Sequence, residues 1–361
     1  MERVSMSKKI LLTGGGTAGH VTPNLALIEK LRDKAWHIEY MGSDLGVEKE
    51  MIDAVGVPFH AIRSGKLRRY FSWQNFIDPI NILIGIVQAT FKVHAIKPDI
   101  VFSKGGFVAF PVVVGAWVNR VPVVAHESDL SPGLANRLSF PFAKTICLTF
   151  AAAQKRFKNQ AKTVVTGTPI REQLFKGNKD AAYSHCGFKN NKPCILVIGG
   201  SLGSTSINAC VRSSIDDLLS THHVIHICGK GNIDATLVDK EGYFQTEYAE
   251  AELADFFAAS ELIISRSGAN SLYEILALNK PHVLIPLSKK SSRGDQIENA
   301  HFFEQQGISV VINEEQLDKQ SLMSALEKTL NSKDKRIEKM KQLNIKSSTN
   351  SVIDVLIQKM K

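Results

Sequence analysis

The chain has 361 residues, with 44 Lys and Arg against 35 Asp and Glu, 44% hydrophobic residues and five cysteines. At roughly 100–200 residues per domain, that length suggests two domains. A charged fraction of 22% and ordinary hydrophobicity exclude a disordered, collagenous or disulfide-stapled protein. The net charge of +9 falls wholly in the first half: residues 1–166 carry 21 Lys and Arg against 12 Asp and Glu, and the rest carries 23 of each. Such a half suits an anionic surface or substrate, and nucleic acid or membrane would each explain it. The odd cysteines, with no C-x-x-C, read as buried thiols in a reducing cytoplasm. The apolar run Ile10–Leu12 is too short for a signal peptide, and the longest uncharged apolar run, Phe107–Val118, falls short of the ~20 residues of a spanning helix. No membrane-spanning segment is expected.

In chain order, Lys9–Thr13 reads as a buried strand, followed by Leu25, Ile28 and Leu31 at helical spacing. Trp36–Met41, Pro98–Ser103 and Val121–His126 are strand-like, with helical patterns between them. This βαβ alternation predicts a parallel sheet covered on both faces. Ile195–Ser201 then repeats the strand-into-glycine pattern of Ile10–Gly16, so two doubly wound domains are expected, joined near Thr166–Pro169. Ligands bind beyond the carboxyl ends of such strands, which places the site in the cleft between the domains. Pro79 is expected to start a helix whose residues after Ile77 enter the core. Lys333–Lys346 reads as a solvated helix, and Val352, Val355, Leu356 and Met360 mark the apolar face of a last one.

Gly14-Gly15-Gly16-Thr17-Ala18-Gly19-His20 satisfies G-x-G-x-x-G, with Glu39 20 residues beyond Gly19. That keeps a nicotinamide or flavin enzyme open, although Glu39 falls in mid-strand. The glycines let backbone N–H groups approach an anion at a helix start; the alternative is a tight turn with no ligand. His20 is a candidate general base or a helix-capping donor. A second turn, Gly199–Ser204, opens a helix containing Asn208. Ser265–Glu274 ends a strand and starts a helix near Ala269, whose amides suit a diphosphate while Glu274 suits ribose hydroxyls. The loop Ser292–Asn299 follows the next strand, where sugar hydroxyls would be read. No Asp-x-Asp occurs, so no metal clamp is expected, and helix amides and Arg171 would meet the diphosphate charge. His222, His223 and His226 read as a solvated strand face rather than a metal cluster. Lys66, Arg68 and Arg69 beside Tyr70, Phe71, Trp73 and Phe76 suit an anionic membrane interface, or stacking on single-stranded nucleic acid, or a plain basic loop.

Together the stretches GGGTAGHVTPN, GSDLGVEKEM, SGKLRRY, FSKGGFVAFPVVV, HESDLSPGLANR, GTPIRE, GGSLGSTSIN, SRSGANSLYEILAL and SRGDQIENA resemble the MurG family, in family order over residues 14–300. Its members are peripheral membrane glycosyltransferases that add N-acetylglucosamine to undecaprenyl-diphosphoryl-muramoyl-pentapeptide (lipid I) to form lipid II of peptidoglycan. The resemblance implies an α/β GT-B fold, two Rossmann-like doubly wound domains with an interdomain cleft. The boundaries expected are 1–166 for the acceptor and membrane-facing domain, 167–340 for the UDP-sugar domain and 341–361 for a helix packing back. It also implies that Thr17, Ala18 and Gly19 approach the sugar and acceptor diphosphate. Arg171, Ser201 and Glu274 would grip the nucleotide, the backbone at Ala249 would read uracil, and the helix from Ala269 with Asn270 and Ser271 would hold the diphosphate. Gln296 would bind sugar hydroxyls. Asp129, counted among the UDP-N-acetylglucosamine-binding residues through a sugar contact or a charge role, stands where many members have Asn, and Asp295-Gln296 where some have Gln-Gln.

The implied reaction is one inverting displacement with His20 as general base, no cofactor, no metal and no nucleic acid. UDP-N-acetylglucosamine, lipid I, an anionic membrane and cell-wall synthesis proteins are the implied partners, at the cytoplasmic face of the inner membrane. Lys66, Arg68, Arg69, Phe71 and Trp73 would form the membrane patch. The alternatives are a nucleotide-sugar epimerase of the same fold and a non-catalytic UDP-sugar-binding membrane scaffold.

Overall fold

The computed structural model describes residues 8–43, 46–65, 74–200, 202–343, 345 and 348–360, leaving aside the side chains of 74–77. The chain divides into two units, 1–171 with 347–361 and 172–346. The exchange thus falls at Arg171/Glu172, just past the Thr166–Pro169 segment.

In the first unit, β1 (Lys9–Thr13), α1 (Ala18–Asp33), β2 (His37–Ser43), α2 (Val47–Asp53), β3 (Phe59–Ile62), α3 (Gln74–Ile96) and β4 (Ile100–Ser103) are followed by α4 (Ala109–Val118), β5 (Val123–Glu127), α5 (Leu134–Ser139), β6 (Thr145–Leu148) and β7 (Thr163–Val165). The second unit runs α6 (Lys179–His185), β8 (Cys194–Ile198), α7 (Thr205–Ser213), α8 (Ile215–Thr221), β9 (His223–Ile227), β10 (Tyr243–Thr246), α9 (Leu253–Ala259), β11 (Ser260–Ser265), α10 (Ala269–Ala277), β12 (His282–Leu284), α11 (Asp295–Gln305), β13 (Val310–Val311), α12 (Lys319–Asn331) and α13 (Lys333–Gln342). The last helix, α14 (Thr349–Lys359), returns to the first unit, where Val352, Ile353, Val355 and Leu356 join the core formed by Leu27, Ile28, Leu31 and the strand side chains Ile10 and Leu12.

Among the described residues each unit holds one all-parallel sheet, ordered β3-β2-β1-β4-β5-β6-β7 and β10-β9-β8-β11-β12-β13. Both orders reverse direction once, between β1 and β4 and between β8 and β11, as in doubly wound folds. Helices cover both faces of such sheets, so the inner strands, such as β4, β5, β6 and β9, are buried along their length rather than alternating. That corrects the expectation for His222, His223 and His226: all three are buried. His226 lies between the Tyr243 hydroxyl (2.8 Å) and Asn208 Oδ1 (2.9 Å), and burial drives its pKa down to about 3.

Helix α3 departs further from expectation. It begins at Gln74, so Pro79 lies inside it. Gly85, Ala89, Val93 and Ile96 face inward, with Gly85 tight against the Arg63 carbonyl and in contact with Pro111, and Ala89–Thr90 against Gly115, which lets α3 and α4 pack closely. The opposite stripe is not core: Ile80 is 57% exposed, Leu83 64%, Val87 56% and Phe91 72%. Contrary to the expectation that no segment is long and apolar enough, Asp78–Ile96 could cross a membrane by length and composition, 19 residues at mean hydropathy 1.4; Asn81, Gln88 and Lys92 interrupt its apolar run without ending it. Its place as the crossover between the parallel strands β3 and β4 makes it a covering helix of the sheet with an apolar outer face.

Candidate active site

In each unit the polar loops gather at the carboxyl ends of the strands, beside the point where strand order reverses. In the first unit the turn after β1 is shaped by three side chains. The Tyr40 hydroxyl donates to the Gly14 carbonyl (2.6 Å), and Asn24 Nδ2 donates to the Tyr40 oxygen (3.2 Å). Glu48, wholly buried at the start of α2, accepts from the N–H of Gly16 (3.1 Å) and of Ser43 (3.1 Å). A Cβ at Gly15 would lie 2.5 Å from the Glu48 carboxyl carbon, so the turn and the carboxylate fit only with glycine there. The Gly16 amide is therefore spent on the protein's own anion, which leaves the start of α1 to meet a ligand. Thr17 and Gly19 are exposed there, and Ala18 and His20 half-buried.

Across the reversal, β4 ends in Lys104 and β5 in His126-Glu127. Glu127 accepts from the N–H of Asp129 (3.0 Å), the N–H of Gly133 (3.2 Å) and Asn136 Nδ2 (2.9 Å). One buried carboxylate thus sets the whole loop that carries the half-buried Asp129.

In the second unit the turn after β8 passes so close to the carbonyl of Cys228 that only glycine fits at position 203, where φ is +75°. Arg266, buried at the end of β11, donates to Ser204 Oγ (2.7 Å) and to the Ile285 carbonyl (3.1 Å) and pairs with Glu314. Glu314 also accepts from Ser206 Oγ (2.6 Å) and the N–H of Ser288 (3.0 Å). Burial raises the Glu314 carboxyl, but the bonds from Arg266, Ser206 and Ser288 outweigh it and hold the pKa below the ordinary value. This ion pair joins the loops after β8, β11 and β12.

Gln296, in the first turn of α11, accepts from the Leu287 N–H through Oε1 (3.1 Å), which fixes its amide. Its carbonyl accepts from Ser267 Oγ (2.8 Å), and its Nε2 lies beside Gly268, the residue before α10. Helix α10 carries no side-chain cap and no acidic residue in its first turn, so the positive end of its dipole is open to an anion.

Residues 10–148 match the glycosyltransferase family 28 N-terminal domain, and residues 194–355 match its C-terminal domain. Two relatives carry the name UDP-N-acetylglucosamine--N-acetylmuramyl-(pentapeptide) pyrophosphoryl-undecaprenol N-acetylglucosamine transferase. That of Legionella pneumophila (strain Lens) is 60% identical over 351 residues, 97% of this chain and 97% of its own. That of Clostridium tetani (strain Massachusetts / E88) is 52% identical over 351 residues, 97% of this chain and 98% of its own. The chain belongs to the MurG family. The crystal structure of MurG from Acinetobacter baumannii has the same GT-B fold, with a TM-score of 0.75 at 24% identity over 97% of this chain and 99% of that one.

Set against the residues the MurG resemblance implied, Thr17 holds the N-cap position of α1, Ala18, Gly19 and His20 form its first turn, and Asp129 lies in the loop after β5, all at the strand reversal of the first unit. Ala269, Asn270, Ser271, Glu274 and Gln296 gather around the start of α10 in the second, with Ala249 after β10. Arg171 closes the first unit. Ser201 and the patch residues Lys66, Arg68, Arg69, Phe71 and Trp73 lie outside the described residues. Glu39 points away from the glycine turn: its carboxylate bridges His37 (2.9 Å) and His60 (2.6 Å), so it does not take the place of a ribose-binding acid. Among the described residues no group of three or more His, Cys, Asp or Glu is set to hold a metal.

Sequence reasoning missed Glu48, Lys104, Glu127, Arg266 and Glu314, the charged side chains that hold these loops from beneath. A lone acidic residue at a helix start reads as dipole compensation. Only the fold shows that the Glu48 carboxylate reaches back 32 residues to Gly16.

Proposed function

We infer that this protein transfers N-acetylglucosamine from UDP-N-acetylglucosamine to the 4-hydroxyl of the muramoyl residue of lipid I, giving lipid II. The observation that carries the reading is 60% identity spanning both units to a transferase of that name. The donor belongs to the second unit, with its diphosphate at the start of α10, the ribose at Glu274, the uracil at the backbone of Ala249 and the sugar hydroxyls at Gln296; Ser201 and Arg171 complete the grip. The acceptor belongs to the first, near Thr17–His20 and Asp129. His20 takes the proton as the hydroxyl attacks C1 of the sugar and UDP leaves from the opposite face, through an oxocarbenium-like state.

The apolar outer stripe of α3 supports attachment to the membrane that holds the lipid acceptor. Each such side chain contributes about 1.5–3 kcal/mol when buried, and the basic excess of the first half adds attraction to anionic lipid. These features support the reading of a peripheral protein at the cytoplasmic face of the inner membrane, with cell-wall synthesis proteins as its prospective neighbours.

The deciding experiment is transfer of labelled N-acetylglucosamine from UDP to a short-chain muramoyl-pentapeptide diphosphoryl-lipid, with and without EDTA. Disaccharide product in both arms is the expected result. Product only without EDTA keeps the transferase and overturns the metal-free account of the leaving diphosphate. Donor binding without transfer overturns the reading, in favour of an epimerase if the free sugar epimer accumulates and of a scaffold if nothing turns over.

A further inference from the structure

Lys104 has no part in the chemistry described above, yet it is the cation buried at the strand reversal of the first unit, only 1% exposed. Its Nζ donates to His126 Nδ1 (3.1 Å) and to Ser128 Oγ. His126 Nε2 lies 2.8 Å from the Gly167 carbonyl. A carbonyl only accepts, so Nε2 carries the imidazole proton and Nδ1 is the acceptor for lysine. Burial and the adjacent ammonium push the His126 pKa well down, so the ring is neutral. The negative groups around Lys104 are Glu127 first, then Asp129, both from the end of β5 and its loop; the nearby Cys147 thiol of β6, its pKa pushed up to about 12 by burial, stays neutral. Gly14, from the turn after β1, packs against the Cβ of Lys104 and brings no charge. Glu127 is already committed to three donors of its own loop. A buried charge is costly to keep, and perturbed ionisable groups collect at functional sites.

We propose that Lys104 is a positioning residue for glycosyl transfer, its ammonium fixing from beneath the geometry and charge of the loop that presents Asp129. The inference rests on the transferase reading and deepens it on the acceptor side. Desolvation lowers the Lys104 pKa to about 8, against the opposing pull of Glu127 and Asp129. Because this lies below the ordinary lysine value, the charge is present at neutral pH and lost as pH rises through that range. The loop then loses its anchor.

The test uses the full chain with UDP-N-acetylglucosamine and the short-chain lipid acceptor from pH 6 to 10, on wild type, K104M, K104R and D129N. Lysine 13Cε NMR titration follows the group itself. In wild type, kcat/KM for the acceptor should fall about tenfold one pH unit above the pKa of a single required proton. K104M should show that low value already at pH 7, with no alkaline limb and with KM for the donor within about twofold of wild type. K104R, which stays charged, should restore activity and stay flat to pH 10. D129N should move the limb and the Lys104 resonance to lower pH, because it removes a carboxylate that raises the lysine pKa.

Retention of the limb in K104M overturns the proposal, as does an unmoved limb in D129N or a Lys104 resonance that does not titrate near 8. Equal losses toward donor and acceptor in both lysine variants also overturn it. Should K104M fail to fold, D129N and the NMR titration decide. A wild-type protein that binds both substrates without turnover instead defeats the transferase reading, and the NMR arm shows whether the Lys104–Asp129 coupling survives it.

Discussion

Replacing Glu48 with Gln tests whether the first glycine turn is held by a buried anion. The two carboxylate oxygens of the buried side chain each take one N–H at 3.1 Å, that of Ser43 out of solvent and that of Gly16 partly so. Glutamine keeps one acceptor oxygen but turns an NH2 toward the other N–H, leaving a buried donor facing a donor. An unsatisfied buried polar group costs about 1–3 kcal/mol. E48Q should therefore destabilise the first unit by about 2 kcal/mol, roughly a 4–8 °C drop in Tm for a body of this size. All three tryptophans, Trp36, Trp73 and Trp117, belong to that unit, so tryptophan fluorescence during heating isolates its transition. G15A should cost at least as much, since its methyl carbon would meet the Glu48 carboxyl at 2.5 Å. In both variants kcat should fall, because the turn delivers His20. A melt within 1 °C of wild type (well inside the ~4 °C smallest expected drop), together with unchanged turnover, would refute the reasoning.

Three further outcomes follow from the same geometry. H20A should lose about 10²–10⁴-fold in kcat while UDP-N-acetylglucosamine binding, measured by calorimetry, stays nearly intact; a loss confined to donor binding removes the general-base role. His226 and His282 have folded pKa values depressed by burial to about 3 and about 4, below the histidine value of 6.5. Their contribution is therefore present above pH 6.5 and lost as pH falls toward those values. At ~1.4 kcal/mol per pH unit each should remove about 2 kcal/mol between pH 6.5 and 5, and urea titrations of H282Q against wild type would show a shallower acid slope. On the outer face of α3, L83E with F91E should weaken co-sedimentation with anionic vesicles at least tenfold, since each lost apolar contact is worth about 1.5–3 kcal/mol. Transfer to the short-chain acceptor in detergent should persist; vesicle binding equal to wild type would exclude this stripe as the contact.

The strands and their order of appearance were legible because a parallel sheet covered on both faces demands short apolar runs. Lys9–Thr13 was read to the residue, and Ile195–Ile198 falls within β8 (Cys194–Ile198). The same burial misled the reading of His222–His226. Three histidines in a β-rich run look like an exposed face, but His222 just before β9 and His223 and His226 within it are all buried, and the partners of His226, Asn208 and Tyr243, are 18 and 17 residues away. α3 failed for the opposite reason. An apolar run after a Pro reads as core, and only packing against α4 through Gly85 and Gly115 shows which stripe is inside. The site's small residues were visible because glycine turns are local. Its supporting charges were not, because Arg266 and Glu314 meet only after 48 residues and two strands.

Topology alone does not say which unit takes which substrate, since both sheets reverse in the same place. The helix starts carry more. Both α1 and α10 begin beside a reversal without a side-chain cap and without an acidic residue in the first turn, whereas α7 and α12 are closed by Ser204 and Asp318. A reaction that joins a nucleotide-diphosphate sugar to a diphosphate-linked lipid needs two anion seats, and the fold supplies an open dipole end in each unit. What surrounds them differs. Beside α10 the Gln296 amide is fixed by Leu287 to present its nitrogen, a group suited to sugar hydroxyls. Beside α1 stand a titratable imidazole and, across the reversal, a loop whose carboxylates are answered by one buried lysine. Under the proposed function, proton transfer therefore falls to the first unit, where His20 stands, and reception of the leaving UDP to the second.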